Sequence, residues 1–202
     1  MSKRIKIISL FFSVGIFTAL GTACGESPGN KGTANSEPLV KTEPAKPASD
    51  KGDTVVTGGD LTFMNAAAPG GMAEVELGNL AAQKAQSPAV KTFGQLMATD
   101  HSKANEELKL LAAQKKVTLP TGVLPTHKEL MDKLSKASGA DFDMEYVKAM
   151  VAAHEKDVAA FENVSKTAAD ADVKAFAAKT LPTLKMHLDM IKSMADKMGV
   201  KP

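Results

Sequence analysis

The sequence of 202 residues contains no tryptophan, one tyrosine and one cysteine. A single cysteine excludes an internal disulfide framework, a cysteine-rich zinc site and a cysteine-ligated iron–sulfur cluster. An excess of one charge is also missing. Three of the 25 basic residues, Lys3, Arg4 and Lys6, lie near the N-terminus, so the rest of the chain carries 22 basic against 23 acidic side chains. Because nucleic acid is bound by basic patches, we expect no nucleic-acid partner.

The first 23 residues have the three parts of an export signal. A basic tip precedes an apolar run over residues 7–20, and small residues follow up to Ala23. The run is too short to cross a bilayer comfortably, which argues against a retained anchor helix. The only cysteine, Cys24, stands at the expected cleavage point. This arrangement resembles a bacterial lipoprotein signal, in which the cysteine is acylated and becomes the first mature residue.

Ordinary cleavage after Ala23 is the alternative, and it would leave Cys24 as a free thiol. An unpaired exposed thiol is a liability in an oxidising compartment, so we favour acylation. Residues 24–59 are rich in glycine, proline, serine and lysine and should form a disordered tether. We therefore predict a signal peptide over 1–23, an acylated tether over 24–59 and a folded domain over 60–199. The protein should be exported to the cell envelope or periplasm and held at a membrane through Cys24.

The predicted domain is built from alanine, leucine, methionine, lysine and glutamate, and it shows no alternating strand pattern. Capping residues and prolines divide it into four long helices and one short helix, with starts near Asp60, Pro88, Thr126, Asp141 and either Asp170 or Asp172. The fold class is therefore all-α: an antiparallel four-helix bundle with a short extra helix in the long connection between helices two and three. Pro69, followed by two glycines, should kink or split the first helix, and Pro182 should kink the last.

Three of the four histidines lie on apolar helix stripes. His101, His154 and His187 each belong to a different predicted long helix, at spacings of three and four from apolar neighbours. Counting residues from the predicted turns places these histidines at similar heights along the bundle. Glu74 on the first helix lies at the same height, although Glu76 would replace it if the helix rotates at Pro69. The fourth histidine, His127, opens the short helix and is left out of the site.

One glutamate and three histidines in a single layer indicate a metal site. Imidazole nitrogen and carboxylate oxygen suit zinc, iron, manganese or copper, and the sequence does not choose among these metals. The competing interpretation is that the histidines are core residues whose hydrogen bonds are satisfied by polar neighbours such as Asp100, Asn105 or Asp157. Met186, Met190, Met194 and Met198 form a second metal signal on the last helix, but methionine is an adaptable core residue, and we interpret this row as packing.

The order of four segments resembles the bacterial domain of unknown function 4142 (DUF4142). These segments are GGMAEVELGNLAAQKA, VKTFGQLMATDHSKANEELKLLA, SGADFDMEYVKAMVAAHEKDV and KTLPTLKMHLDM. The resemblance covers residues 61–194 and implies a ferritin-like helical bundle in an exported, often membrane-associated setting, with no established reaction. The family's motif positions fall on Glu74, Asp100, His101, His154 and His187, with Asp100 expected to support the ligands from outside. Many relatives carry aspartate where Ala153 stands here.

Ferritin-type di-iron chemistry is not expected, because it needs a Glu-x-x-His pair on each of two helices. Here Ala98, Val151 and Leu184 precede the three histidines by three positions. The predicted function is therefore a lipid-anchored bundle that binds one transition-metal ion, in stress protection or metal handling. A non-metal interaction or stress module with structural histidines is the alternative, and a redox metalloenzyme is a further one. No nucleophile–base pair or phosphate loop indicates another enzyme class.

Overall fold

A computed structural model describes residues 56–201, and the predicted signal, Cys24 and nearly all of the tether lie outside this range. The described chain contains five helices: α1 (Gly58–Lys84), α2 (Pro88–Gln114), α3 (Pro125–Lys136), α4 (Gly139–Thr167) and α5 (Ala171–Met198). The all-α class, the four long helices and the short helix between the second and third are confirmed. Pro69 and Pro182 lie inside α1 and α5, and neither helix is split.

The long helices run in an up-down-down-up order, which follows from the two apolar clusters of the core. The Phe161 cluster contains the start of α1, the end of α2, the end of α4 and the start of α5. The Tyr146 cluster contains the opposite ends of the same helices. In cross-section α1 lies beside α2 and α4, and α5 lies beside the same two helices, so neighbouring helices are antiparallel. The long connection that carries α3 returns the chain to the end from which α4 starts.

Each hairpin turn is held by a buried aspartate from the other hairpin. Asp143 of α4 accepts hydrogen bonds from the backbone nitrogens of Gln86 (3.0 Å) and Ser87 (2.7 Å), between α1 and α2. Asp60 of α1 accepts one from the backbone nitrogen of Asp170 (2.7 Å), between α4 and α5. These carboxylates satisfy donors that a helix start leaves without a partner. The two hairpins are thereby joined at both ends of the bundle.

Three predicted helix starts were wrong by a few residues. The first helix begins at Gly58 after Thr57, so Asp60 lies inside its first turn and bonds to the other hairpin instead of capping its own helix. The fourth begins at Gly139, where a positive φ of 60° suits glycine, and not at Asp141. The short helix begins at Pro125 after Leu124, whose backbone nitrogen donates to His127 Nδ1 (3.3 Å). The starts at Pro88 and after Asp170 are confirmed.

The methionine row on α5 divides between core and surface. Met190, Met194 and Met198 pack against the Tyr146 cluster, as the packing interpretation predicted. Met186 is 43% exposed and belongs to neither apolar cluster.

Candidate metal centre

The layer between the two apolar clusters contains three histidines from three helices. His101 comes from α2, His154 from α4 and His187 from α5. Their ring centroids are 5.5 to 5.6 Å apart in all three pairs, so the rings form a nearly equilateral triangle. One ligand atom from each histidine lies within 4.8 Å of the other two. All three side chains are buried, and the structure thus brings together three separate stretches of sequence at one point.

Each of these histidines has a hydrogen-bond partner on one ring nitrogen. His101 Nδ1 lies 2.9 Å from Glu74 Oε2, and His187 Nε2 lies 2.9 Å from Asp100 Oδ2. His154 Nδ1 lies 3.1 Å from the backbone oxygen of Met150, one helical turn earlier. All three partners are acceptors, so the bonded nitrogen carries the proton in each neutral ring.

The other nitrogen of each ring is buried and has no hydrogen-bond partner among the described residues: His101 Nε2, His154 Nε2 and His187 Nδ1. Buried polar atoms in proteins are nearly always bonded, so three bare nitrogens in one layer need an explanation. With the proton on the opposite nitrogen, each of these atoms presents a lone pair. Three lone pairs from three rings of one triangle are a donor set for a transition-metal ion.

The surroundings favour the neutral form of two of the three imidazoles. Burial lowers the pKa of His154 to about 4, although the nearby Glu74 carboxylate opposes this shift. Burial also lowers the pKa of His187, against the opposing effect of its hydrogen bond to Asp100. Phe93 adds an apolar wall, with its ring centroid 6.5 Å from that of His154 and 6.1 Å from that of His187. A neutral imidazole can bind a metal without first losing a proton to solvent.

Glu74 faces the core, whereas Glu76 is exposed, so the structure answers the question of which glutamate faces inward. Besides its bond to His101, Glu74 Oε1 lies 3.6 Å from His154 Nδ1. Burial alone would raise the pKa of Glu74, but the interaction with His101 brings it below the ordinary value. The carboxylate is therefore ionised and contacts the protonated side of two rings. It does not belong to the three-residue group whose ligand atoms converge.

Asp157 is the second carboxyl group of the layer. Burial and the Glu74 charge raise the pKa of Asp157 to about 8. Asp157 is therefore neutral at pH 7, beside the ionised Glu74. Sequence reasoning had treated Asp157 only as a partner for the histidines. The signal that could have placed Asp157 in this layer is its position three residues after His154, on the same helix face.

The supporting residues differ in part from those expected. Asp100 adjoins His101 in the sequence but bonds to His187 of the neighbouring helix. At His154, the backbone oxygen of Met150 supplies the acceptor. A backbone acceptor of this kind leaves no signal in the sequence. His127 lies outside the triad, as expected, and its Nδ1 bonds to the start of α3.

Within residues 56–201, the three histidines are the only group of histidine, cysteine and acidic side chains spaced to hold a metal ion. Over the same range, no helix combines the length and apolar composition that a bilayer crossing requires.

The comparisons with known proteins agree with this architecture. The sequence model of DUF4142, a domain of unknown function, matches residues 45–194. No curated protein is similar enough in sequence to count as a match. CopM in its Cu(II)-bound form has a similar structure, with a TM-score of 0.59 and 19% identity over 68% of this chain and 96% of CopM. CopM structures in Cu(I)- and Ag-bound forms are similar to the chain as well.

Two structures of DUF305 proteins share the fold. The fragment from Deinococcus radiodurans has a TM-score of 0.62 and 11% identity, over 71% of this chain and 99% of the fragment. The protein from Streptomyces coelicolor has a TM-score of 0.61 and 12% identity, over 71% of this chain and 96% of its own. At these identities, the likeness establishes a common helical bundle.

Proposed function

The chain belongs to the DUF4142 family, and we propose that it is an exported, lipid-anchored bundle that binds one transition-metal ion and serves in metal handling or stress protection. The proposed ligands are His101 Nε2, His154 Nε2 and His187 Nδ1. The observation that carries this proposal is the convergence of three buried imidazoles, each with one ring nitrogen bonded and the other without a partner among the described residues.

The polar groups behind the rings support this assignment. Histidines that bind metals usually donate their second N–H to a carboxylate or a backbone oxygen, which fixes the tautomer and the ring orientation. Glu74, Asp100 and the Met150 oxygen stand in these positions. We therefore assign Glu74 to the support of His101 rather than to direct coordination. Its negative charge, buried beside neutral rings, would offset part of the charge of a bound cation.

Copper is the first metal to test. Imidazole nitrogen binds copper, zinc, iron and nickel, and Cu(II) is the strongest of the divalent ions in the usual affinity order. CopM, whose bundle is similar, has structures in Cu(II)-, Cu(I)- and Ag-bound forms. Zinc is the main competitor, since three histidines and one open position also form zinc sites.

Elemental analysis tests the proposal most simply. The full chain is exposed separately to copper, zinc, iron and manganese, freed of loose metal and analysed. We expect one tightly held ion per chain for at least one metal, and none after combined replacement of His101, His154 and His187 by alanine. His127→Ala is the matched control, because His127 lies outside the triad, and it should retain the metal. Absence of tight binding for all four metals would leave the histidines as structural core residues.

A further inference from the structure

A cavity of about 110 Å³ reaches the histidine layer between α2 and α5. Both His101 and His187 line this α2/α5 cavity, whereas His154 does not. The remaining wall includes Ala104, Thr180 and Thr183, the apolar Leu184 and several charged side chains. A space of this size holds several water molecules but no organic metabolite of ordinary size.

The charges at this cavity are balanced. Asp100 is bonded to His187, and Glu107 pairs with Lys179 at 2.8 Å. Lys103 lines the cavity as well and has no ion-pair partner among residues 56–201. An anion entering here would meet ammonium and hydroxyl groups but also the carboxylates of Asp100 and Glu107, so its main attraction would be the charge of a bound metal ion.

A second cavity, on the opposite side of the bundle, has different lining residues. A cavity of about 420 Å³ lies between α1 and α4, beside α3, and its wall includes Glu74, Asp157 and Ala153 but none of the three histidines of the triad. The carboxylate of Glu74 and the ammonium group of Lys156 both line that cavity. The two cavities therefore give a direct comparison between a space that reaches two of the imidazoles and a space that reaches none of them.

We propose that the α2/α5 cavity is the binding site for a small inorganic anion that coordinates the metal as a ligand from solution. This inference rests on the proposed function, because the anion binds to the metal held by the three histidines. Three protein ligands leave a coordination position open, and the α2/α5 cavity is lined by two of these ligands together with hydroxyl-bearing and charged side chains. The ligand class is limited by the cavity to anions of a few atoms.

Azide binding to the Cu(II)-loaded full chain tests the inference, with the azide-to-copper charge-transfer band as the readout. Thr183→Leu should fill the cavity from α5 and weaken azide binding about tenfold or more, with Cu(II) affinity changed less than about threefold. Ala104→Leu, which narrows the cavity from α2, is the second variant and should act in the same direction. Ala153→Leu, in the α1/α4 cavity, is the matched control and should bind azide like the wild type.

The outcomes separate this inference from the proposed function. Azide binding that is unchanged in both cavity variants, or lost only in Ala153→Leu, would overturn the inference and leave the metal site standing. A Cu(II)-loaded wild type that binds no azide would do the same. A wild-type chain that binds neither Cu(II) nor zinc, iron or manganese would overturn both. Circular dichroism on each variant establishes that the bundle is folded before azide is added.

Discussion

At the scale of single residues, each histidine of the triad is oriented by one acceptor of its own. Glu74 bonds to His101, Asp100 bonds to His187, and the Met150 oxygen bonds to His154. Two of the three acceptors are side chains, so they can be changed without touching a proposed ligand. The sequence predicted the histidines from their stripes, whereas the backbone acceptor became visible only in the structure.

We expect Asp100→Ala to reduce metal affinity about 10- to 100-fold, because His187 would lose the group that fixes its tautomer and orientation. Asp100→Asn should lose less, since the amide oxygen can still accept the hydrogen bond. Competition with a coloured chelator measures both affinities. Glu76→Ala, which removes a carboxylate that is exposed to solvent, is the control and should keep the wild-type metal affinity. Equal affinities for Asp100→Ala and the wild type would show that Asp100 does not support His187.

The Glu74–Asp157 pair predicts a pH dependence of the metal-free chain. The pKa of Asp157 is raised to about 8, mainly by burial and then by the Glu74 charge. A carboxyl group with a raised folded pKa stabilises the fold at low pH, and this stabilisation is lost as pH rises through the folded value. The lowered pKa of His154 has the opposite effect, but only between about 4 and its ordinary value of 6.5.

The free energy of unfolding should therefore decrease by about 1–2 kcal/mol between pH 6.5 and pH 8.5, and stay nearly level in Asp157→Asn. Urea denaturation with chelator present measures both chains. Asp157 interacts with the Glu74 charge and with Lys156, whose charge lowers the pKa of Asp157. His101 and His154 in turn lower the pKa of Glu74. A wild-type stability that is constant or rising over this range would contradict the assignment of the proton to Asp157.

At the scale of elements, the hairpin turns show what sequence patterns can and cannot predict. The start of α2 at Pro88 followed from local chemistry, since proline suits the first position of a helix. The roles of Asp60 and Asp143 could not be predicted from neighbouring residues in the sequence, because each side chain bonds to a turn in the other hairpin. A capping pattern read along the chain cannot reveal a partner that only the folded bundle brings close.

We expect Asp143→Ala to destabilise the bundle by about 2–3 kcal/mol, because two backbone donors in a part-buried turn would lose their charged acceptor. Thermal or urea unfolding measures the change. Asp141→Ala, two residues earlier and exposed, is the matched control and should lose less than about 1 kcal/mol. Similar losses in the two variants would mean that the bond between hairpins contributes little.

At the scale of the whole molecule, sequence reasoning predicted the bundle, its helix count and the height of the histidine layer. Helical spacing and the distance from each turn are enough for this, because an α-helix advances by a fixed rise per residue. The role of each polar partner was harder to predict from the sequence, since hydrogen bonds depend on the rotation of each helix about its axis. Glu74 against Glu76 is the clearest case: a rotation at Pro69 would have exchanged them.

Membrane attachment through Cys24 remains a prediction for the whole molecule, because this residue lies outside the described range. If acylation holds the mature protein at a membrane, Cys24→Ala should prevent lipid processing and abolish the mature, membrane-held form. Fractionation of cells that express the full chain, followed by mass spectrometry of the mature N-terminus, measures this. Mature Cys24→Ala protein that remains in the membrane fraction would rule out the lipid anchor.

The central claim is that the three histidines bind one metal ion in the folded state. Its most direct test is the melting temperature of the full chain, measured with copper in excess over the dissociation constant and again with chelator. Since the unfolded chain has no preformed site, copper at about a hundred times that constant should raise the wild-type melting temperature by about 5–10 °C. Replacing His101, His154 and His187 together by alanine should abolish the rise. A wild type whose melting temperature is the same with copper, zinc, iron or manganese as with chelator would contradict the claim.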